Sequence, residues 1–267
     1  MSILETISKP ADRAPILTIC GDAGTGKTSL AATFPAPIFI RAEDGLQAIP
    51  KDKRPDAFPP VKDSDNLFEQ MMALGTEDHE YSTLVIDSVS KLEEIFIREI
   101  LAKDQRAKGI NQALGGYGNG PAAVAAMHSR VRKLAGRLNE AKGMAVVFIA
   151  HADIETMRPP DMDDYTRHSL RLMPKSLPYY VDDVDLVGFV RLTSVLRGDE
   201  DQRKKVISDG SRELVAYATA ASVAKNRFGI TEPLDFDQGT NPLEDALGIT
   251  ARKAAAGKAA AGEKGEG

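Results

Sequence analysis

The sequence predicts an α/β protein with a mainly parallel β-sheet that ends in antiparallel hairpin strands near the C-terminus. Short apolar runs alternate along the chain with longer stretches of helical periodicity. Runs that are apolar without alternation are typical of strands covered by helices on both faces. The runs are ILTIC at 16–20, PIFI at 37–40, TLVID at 83–87 and MAVVFIA at 144–150. Strands that alternate with helices in this way indicate a parallel sheet.

Helix signals occupy the segments between these runs. Ser64 can cap a helix that ends near Gly75, and Ser90 with Glu93 forms a capping-box pattern before a second helix. A longer helix is predicted to begin near Pro121, because proline suits the first turn of a helix. Such helices are the usual connections between parallel strands.

The pattern changes after residue 150. A polar stretch at 151–175 precedes the apolar run VDLVGFVRL at 184–192, and its length predicts a loop that is functional or mobile. Two alternating runs at 204–218 flank Asp209 and Gly210, which together are a strong hairpin signal. We therefore expect a hairpin that turns at Asp209 and Gly210.

Composition and charge restrict the class of protein. The chain has 267 residues, a formal net charge of −5 and a single cysteine, Cys20. We predict an N-terminal extension at 1–13, one core domain at 14–249 and a disordered tail rich in Ala, Gly and Lys at 250–267. Because the sequence has neither a secretory signal pattern nor a long apolar run, we expect a cytoplasmic protein that binds no membrane. An acidic chain can bind nucleic acid only through a local basic surface.

The strongest motif is GDAGTGKT, which matches G-x-x-x-x-G-K-[ST] between an apolar run and a helical one. In such a loop the backbone amides surround the phosphates, Lys27 reaches the β- and γ-phosphates, and the Thr28 hydroxyl binds Mg²⁺. We therefore predict a site for ATP and Mg²⁺. Its nucleotide-binding residues are Gly21, Asp22, Ala23, Gly24, Thr25, Gly26, Lys27 and Thr28.

Two acidic positions complete the predicted site. Asp87 ends the run TLVID, where its carboxylate would face Mg²⁺ directly or through water, although an Asp here can also cap a helix. Glu43 follows PIFI at the edge where α/β sheets bind ligands, so it is the candidate that orients water for hydrolysis. Asp44 is its rival, and both acids could instead be solvated loop residues. The sequence has no [NT]-K-x-D motif for reading guanine, which favours ATP over GTP.

In the order of these motifs the sequence resembles the RecA-type core of RecA recombinases and hexameric replicative helicases, over roughly residues 14–230. It is most similar to small phage-encoded RecA-like ATP-binding proteins associated with recombination and single-strand annealing. The resemblance implies that Glu43 and Lys27 are catalytic and that His151, at the end of VVFIA, senses the γ-phosphate. The family commonly has Gln there, and a His can also make an ordinary structural hydrogen bond. A phage protein of this kind would act in the host cytoplasm.

The stretch VAKNRFG at 223–229 predicts a strand that carries Lys225 and Arg227 on one face. From the residues alone, this pair would be a solvated strand edge. The resemblance implies that both side chains reach the γ-phosphate of a neighbouring subunit's ATP and stabilise transition-state charge there. The active form would then be a homo-oligomer, either a ring or a filament.

The resemblance also implies two segments that bind single-stranded DNA. One is the glycine-rich stretch 109–121, in which Tyr117 could stack on a base. The other is the long loop after His151, in which acidic residues oppose the basic ones. Its predicted DNA-binding cations are Arg158, Arg167 and Arg171. A single-strand DNA-binding protein is a further expected partner.

Two other functions remain open at this point. A small-molecule or nucleotide kinase also uses a P-loop, but it normally has an arginine-rich lid and an acceptor pocket, and the Lys-x-Arg strand disfavours it. A P-loop ATPase that serves as an assembly scaffold would contact only protein. Stimulation of ATP hydrolysis by DNA would distinguish the DNA-binding function from the scaffold.

Overall fold

A computed structural model of the protein describes most of the chain. The described residues are 3–9, 12–193, 195–197, 205–207 and 210–249. The predicted tail at 250–267 and the predicted turn residue Asp209 lie outside them.

Helices separate most of the strands up to about residue 150, and the later part of the described chain consists mainly of strands. The strands are β1 (Ile16–Gly21), β2 (Pro37–Arg41), β3 (Asp56–Ala57), β4 (Thr83–Asp87), β5 (Ala145–Met157), β6 (Tyr165–Leu170), β7 (Leu186–Leu192), β8 (Val195–Arg197), β9 (Lys205–Ile207), β10 (Arg212–Val215), β11 (Lys225–Asn226) and β12 (Leu234–Phe236). The helices are α1 (Lys27–Ala31), α2 (Ser64–Thr76), α3 (Val89–Lys103), α4 (Asn119–Lys142), α5 (Pro178–Val181) and α6 (Glu244–Leu247).

The main sheet is mixed and mostly parallel. Its strands follow the order β12-β10-β7-β1-β5-β4-β2-β3, with β11 paired to β7 and β6 paired to β5. Neighbours from β7 through β3 in this order are parallel, whereas β10 is antiparallel to both β7 and β12. The predicted α/β class is therefore confirmed, together with the antiparallel strands near the C-terminal end.

Two hydrophobic clusters on opposite faces of the sheet explain why the predicted runs are apolar without alternation. In β4, Leu84 and Ile86 pack into one cluster with Phe96 of α3. Val85 points the other way and joins a second cluster, which includes Leu30 of α1. Successive side chains of a strand alternate between faces, so a strand with both faces covered must be apolar throughout.

The predicted helices are present, but their caps differ from the prediction. Asp63 rather than Ser64 caps α2 by accepting a hydrogen bond from the backbone of Asn66. Likewise Ser88 rather than Ser90 caps α3. The two predicted caps are used in tertiary contacts instead: the Ser64 hydroxyl donates to Glu99, and the Ser90 hydroxyl accepts from the backbone N–H of His151.

The polar stretch at 151–175 is a β-hairpin rather than the long loop that its composition predicts. Strand β5 continues to Met157 and pairs antiparallel with β6, from Ala152 opposite Leu170 to Met157 opposite Tyr165. Strand pairing satisfies the backbone hydrogen bonds of this segment, so it needs little apolar surface to be ordered. The prediction was wrong because a two-stranded projection can be polar on both faces.

The hairpin predicted to turn at Asp209 and Gly210 is also wrong in its pairing. Strand β9 pairs with β8, while β10 pairs with β7 and β12. The physical reason is burial: Leu214 and Val215 of β10 lie in the interior, with exposed fractions of 0% and 3%. Their burial against the main sheet outweighs the local preference for a tight turn.

None of the helices in the described part of the chain combines the length and the apolar composition that crossing a membrane requires.

Candidate functional site

Parallel strands bring the predicted nucleotide-binding residues to one edge of the sheet. In the strand register, Gly21 at the end of β1 lies opposite His151 of β5, and Arg41 at the end of β2 lies opposite Asp87 of β4. Glu43 lies two residues beyond β2. We call this edge, formed by the carboxyl ends of β1, β2 and β4 and by β5 at His151, the carboxyl edge. It is the edge at which open α/β sheets bind ligands.

The P-loop at 21–28 connects β1 to α1, and two of its glycines have no room for a side chain. A Cβ at Gly21 would lie 2.4 Å from the carbonyl oxygen of Val190. Gly26 has a φ of 97°, and a Cβ there would lie 2.9 Å from Nε of Arg212. Contacts with the neighbouring strands β7 and β10 therefore set the path of the loop.

Lys27 points into the P-loop and is 7% exposed. Its Nζ donates to the carbonyl oxygens of Gly21 and Asp22, at 2.9 and 2.8 Å. Burial lowers the pKa of Lys27 from its ordinary value. The ammonium is thus held at the centre of the loop, where the backbone amides can surround a phosphate.

Thr28 and Asp87 form the predicted metal-binding pair. Thr28 Oγ1 donates to Asp87 Oδ2 at 2.7 Å, and Asp87 is 1% exposed. Burial raises the pKa of Asp87 to about 7, and Oδ1 of this carboxylate has no hydrogen-bond partner among the described residues. A hydroxyl and an unsatisfied carboxylate oxygen fit Mg²⁺, which binds few protein oxygens and completes its shell with water and phosphate. The alternative role of Asp87 as a helix cap is filled by Ser88.

Gly45 is a member of this site that sequence reasoning missed. A Cβ at this position would lie 2.6 Å from Thr28 Oγ1 and 2.7 Å from Asp87 Oδ2. The chain after Glu43 therefore crosses directly over the metal-binding pair. No residue pattern in the sequence signals this approach, because the contacts join segments that are far apart in the chain.

Glu43 lies beside the metal-binding pair and contacts the predicted sensor. Nε2 of His151 is 3.0 Å from both carboxylate oxygens of Glu43, so an Nε2–H donates to this carboxylate. Burial acts to raise the pKa of Glu43, but the hydrogen bond and charge of His151, with a hydrogen bond from Ser88, hold it below its ordinary value. Glu43 is therefore an ionised acceptor, as a group that orients water must be.

Asp44, the rival of Glu43, also lines the cavity at this edge but is paired and more exposed. Its carboxylate pairs with Arg41 at 3.4 Å, and its side chain is 62% exposed. The Glu43 side chain is only 24% exposed. The geometry favours Glu43 as the residue that faces the nucleotide.

A cavity of about 400 Å³ opens at the carboxyl edge between these groups. It is lined among others by Gly24, Lys27, Thr28, Glu43, His151 and Arg212. A second cavity of about 530 Å³ adjoins it and shares Ser29, Ala48 and Gln238 in its lining. Together they offer a space beside the P-loop that continues along α1.

Arg212 is the second residue of the site that sequence reasoning missed. It begins β10, and its Nε donates to the carbonyl oxygen of Thr25 at 3.1 Å while Nη1 donates to that of Gly210 at 3.1 Å. In the hairpin predicted from sequence, Arg212 was an ordinary residue of the second strand. Only the pairing of β10 with the carboxyl end of β7 brings it to the P-loop.

Lys225 and Arg227 lie at the opposite edge, where β1 and β7 begin, which we call the amino edge. Lys225 Nζ donates to the carbonyl oxygen of Asp182, and Arg227 pairs with Asp185 at 2.8 Å. Asp185 also binds Arg13 at 2.6 Å. The six residues of β1 separate the two edges by about 17 Å, so neither cation reaches the P-loop of its own chain.

The predicted DNA-binding cations lie on the β5–β6 hairpin and the residue after it, and each has a partner in the chain. Arg158 pairs with Asp164 at 3.4 Å, and Arg167 pairs with Glu155 at 3.1 Å. The third, Arg171, donates to a backbone carbonyl of β5. The hairpin therefore presents fewer unpaired cations than its sequence suggested.

Tyr117 projects fully into solvent from the glycine-rich loop before α4. This loop contacts the segment after the hairpin, because Lys175 Nζ donates to the carbonyl oxygen of Gly118 at 3.3 Å. The two predicted DNA-binding segments thus meet on one side of the molecule.

A glycine loop between a buried strand and a helix, with acidic residues at the ends of the next strands, defines a P-loop nucleotide-binding protein. A family model described as "AAA domain" matches residues 13–228, and the chain belongs to this family. Membership indicates a nucleotide-binding ATPase. A search of curated proteins found no match to the sequence.

Proposed function

We propose that the protein binds and hydrolyses ATP as a RecA-like protein and couples hydrolysis to single-stranded DNA in recombination, strand annealing or strand exchange. The contact between Glu43 and His151 carries this proposal. It joins the group that would orient water directly to the strand that continues into the β5–β6 hairpin.

The residues of the carboxyl edge have separate roles in hydrolysis. Lys27 and the P-loop amides bind the phosphates, and Thr28 with Asp87 would hold Mg²⁺, which neutralises phosphate charge when it is bound. Glu43 accepts a hydrogen bond from the attacking water and orients it in line with the γ-phosphate. The adjoining cavity beside α1 has space for the nucleoside.

The state of the nucleotide can reach the hairpin through one side chain. A γ-phosphate in this cavity competes with the Glu43 carboxylate for the Nε2–H donor of His151, because Glu43 and His151 both line the cavity. The backbone N–H of His151 donates to the Ser90 hydroxyl of α3, which holds this point of β5 in place. A change in the hydrogen bond of the His151 ring would then act on the part of β5 that continues into the hairpin.

Single-stranded DNA is the partner that best fits the segments next to the hairpin. An exposed aromatic ring such as Tyr117 binds a base by stacking, and arginines bind the phosphates on either side. The resemblance to RecA-type recombination proteins supports the same partner. It also supports a homo-oligomer in which Lys225 and Arg227 of one subunit face the ATP of the next.

The test is the rate of ATP hydrolysis with and without single-stranded DNA. We expect DNA to stimulate the wild-type protein and Tyr117→Ala to lose most of this stimulation, while Tyr117→Phe keeps it because the ring still stacks. Tyr117 is fully exposed, so neither change should affect folding.

A second arm uses charge. Arg158, Arg167 and Arg171 changed together to Ala should weaken DNA binding and flatten its salt dependence, because fewer released counterions accompany binding. The matched control changes Arg98, Lys133 and Arg137, three exposed cations on α3 and α4. If single-stranded DNA does not bind the wild-type protein, and no variant alters hydrolysis, the protein is an ATPase of the scaffold type.

A further inference from the structure

We propose that Arg212 is a phosphate-binding residue that each chain supplies to its own nucleotide, at the phosphates shared by ATP and ADP. The proposal rests on the proposed binding of nucleotide at the P-loop. It gives the site an arginine in the same chain, independent of any that a neighbouring subunit brings.

The position of the guanidinium supports this role. Nε of Arg212 is anchored to the carbonyl oxygen of Thr25, inside the P-loop itself. Its side chain also lies against Gly26, where a Cβ would come within 2.9 Å of Nε, so only glycine leaves room for the arginine. Arg212 lines the same cavity as Lys27 and Thr28. The arginine is thus fixed over the loop that surrounds the phosphates.

Arg212 also has donor capacity to spare. Nε and Nη1 donate to backbone carbonyls, whereas Nη2 has no hydrogen-bond partner among the described residues. A guanidinium binds phosphate oxygens well because it is planar, always charged and weakly hydrated. Three carboxylates lie in or beside this cavity, those of Glu43, Asp44 and Asp87. A second cation next to Lys27 therefore helps to balance the charge of a bound phosphate chain.

The topology places Arg212 at the nucleoside end of the phosphate chain. Across β10 and β12, Arg212 is paired with Phe236, two residues before Gln238. Gln238 lines both the phosphate cavity and the adjoining cavity beside α1. Glu43 and His151, by contrast, face the end where hydrolysis would occur. Arg212 is therefore assigned to the α- and β-phosphates rather than to the γ-phosphate.

The experiment is calorimetric titration of the full chain with MgADP and with a non-hydrolysable MgATP analogue. We expect Arg212→Ala to lower the affinity for both nucleotides by about tenfold, because one charge-assisted contact is lost. Arg212→Gln keeps a donor for the Thr25 carbonyl but removes the charge, so it should show nearly the same loss. Arg212→Lys should restore part of the affinity.

Arg191→Ala is the matched control. Arg191 lies on β7, directly opposite Glu213 of β10, and pairs with that carboxylate at 2.6 Å. It does not line either cavity at the P-loop. Its loss should leave both affinities unchanged, which separates a phosphate contact from a general effect of removing an arginine from this part of the sheet.

The outcomes are decisive in either direction. Affinities of a folded Arg212→Gln protein within twofold of wild type would overturn the proposal, and so would a loss confined to the ATP analogue. Lys27→Ala, measured in parallel, keeps the two proposals apart. If Lys27→Ala still binds nucleotide normally, the P-loop assignment itself fails; if it does not bind while Arg212→Gln does, only the role of Arg212 fails.

Discussion

Both edges of the sheet carry charged side chains, but the two groups differ in their hydrogen bonds and ion pairs. At the carboxyl edge, Lys27 donates only to backbone carbonyls and Asp87 keeps an oxygen without a partner among the described residues. At the amino edge, Arg227 and Arg13 both pair with the buried carboxylate of Asp185. Charged groups converge at both edges, but the carboxylate of the amino edge already has two cationic partners in its own chain.

This difference shows which charged residues indicate a binding site: those that are buried and lack a partner in the chain. A buried polar group that lacks a partner costs free energy, so its retention at the carboxyl edge is explained by a ligand that supplies the missing interaction. A buried carboxylate that is already paired within its own chain needs no such explanation.

Lys27→Ala should abolish measurable ATP binding and hydrolysis, because it removes the ammonium from the centre of the P-loop. Titration with ATP and a steady-state hydrolysis assay measure the two effects. Lys91→Ala is the control, since Lys91 is a surface lysine that pairs with Glu94. A folded Lys27→Ala protein that hydrolyses ATP at the wild-type rate would remove the catalytic role from the carboxyl edge.

Glu43→Gln should retain ATP and lower its hydrolysis by on the order of 1,000-fold, because an amide cannot accept the proton of water. The amide oxygen can still accept the hydrogen bond from His151, so the local geometry is preserved. Asp44→Asn, in which the exposed neighbour loses its charge, should hydrolyse ATP normally. Equal rates for Glu43→Gln and wild type would transfer the role to Asp44 or to another group.

Arg227→Ala separates an ion pair from a residue that acts on a neighbouring subunit. If Arg227 serves a neighbour, the variant should bind ATP normally and hydrolyse it roughly 100-fold more slowly, because one donor to developing charge is lost. Mixing it with Lys27→Ala should then partly restore hydrolysis, since an intact P-loop can meet an intact arginine. A role limited to pairing with Asp185 predicts full activity and a stability loss of about 1 kcal/mol or less.

The mixing experiment needs mixed assemblies that are verified by size and composition. Mixed assemblies with only the summed activity of the two parents would leave Arg227 as an ion-pair residue of the amino edge. The contrast between the two edges would then be complete.

The smallest effect concerns the interior between the edges. His128 is fully buried between Glu93 and Tyr180, and burial lowers its pKa from the ordinary value although Glu93 acts against this. The unfolded chain protonates His128 more readily than the folded one, so the contribution of His128 to stability should be constant above about pH 6.5 and fall as the pH drops below it.

Urea unfolding between pH 7.5 and 5 measures this dependence. His128→Gln cannot titrate, so its free energy of unfolding, whatever its value at pH 7.5, should fall less steeply than that of wild type. The partly buried His79, whose Nε2 contacts the carbonyl oxygen of Leu74, provides the comparison variant, His79→Gln, because it lies outside this cluster. An unchanged slope in His128→Gln would assign the acid sensitivity to other groups.

Prediction from sequence succeeded where the signal is local. The strands β1, β2, β4 and β5 were found because burial on both faces leaves continuous apolar runs. It failed for the segment at 151–175, where backbone pairing rather than side-chain burial decides the structure. It also misplaced the caps Ser64 and Ser90, since both side chains are engaged by residues distant in the chain.

The sequence by itself determined the class of the protein and the P-loop, and it indicated Asp87 and either Glu43 or Asp44 as acidic candidates, because each of these signals depends on neighbours within a few residues. Only the tertiary structure decided that Glu43 meets His151, that Gly45 covers Thr28, and that Arg212 reaches Thr25 across 187 positions of sequence. It also decided that Lys225 and Arg227 lie at the amino edge, bonded within their own chain. Strand order and register set these contacts, and both follow from burial over the whole sheet, which no local pattern records.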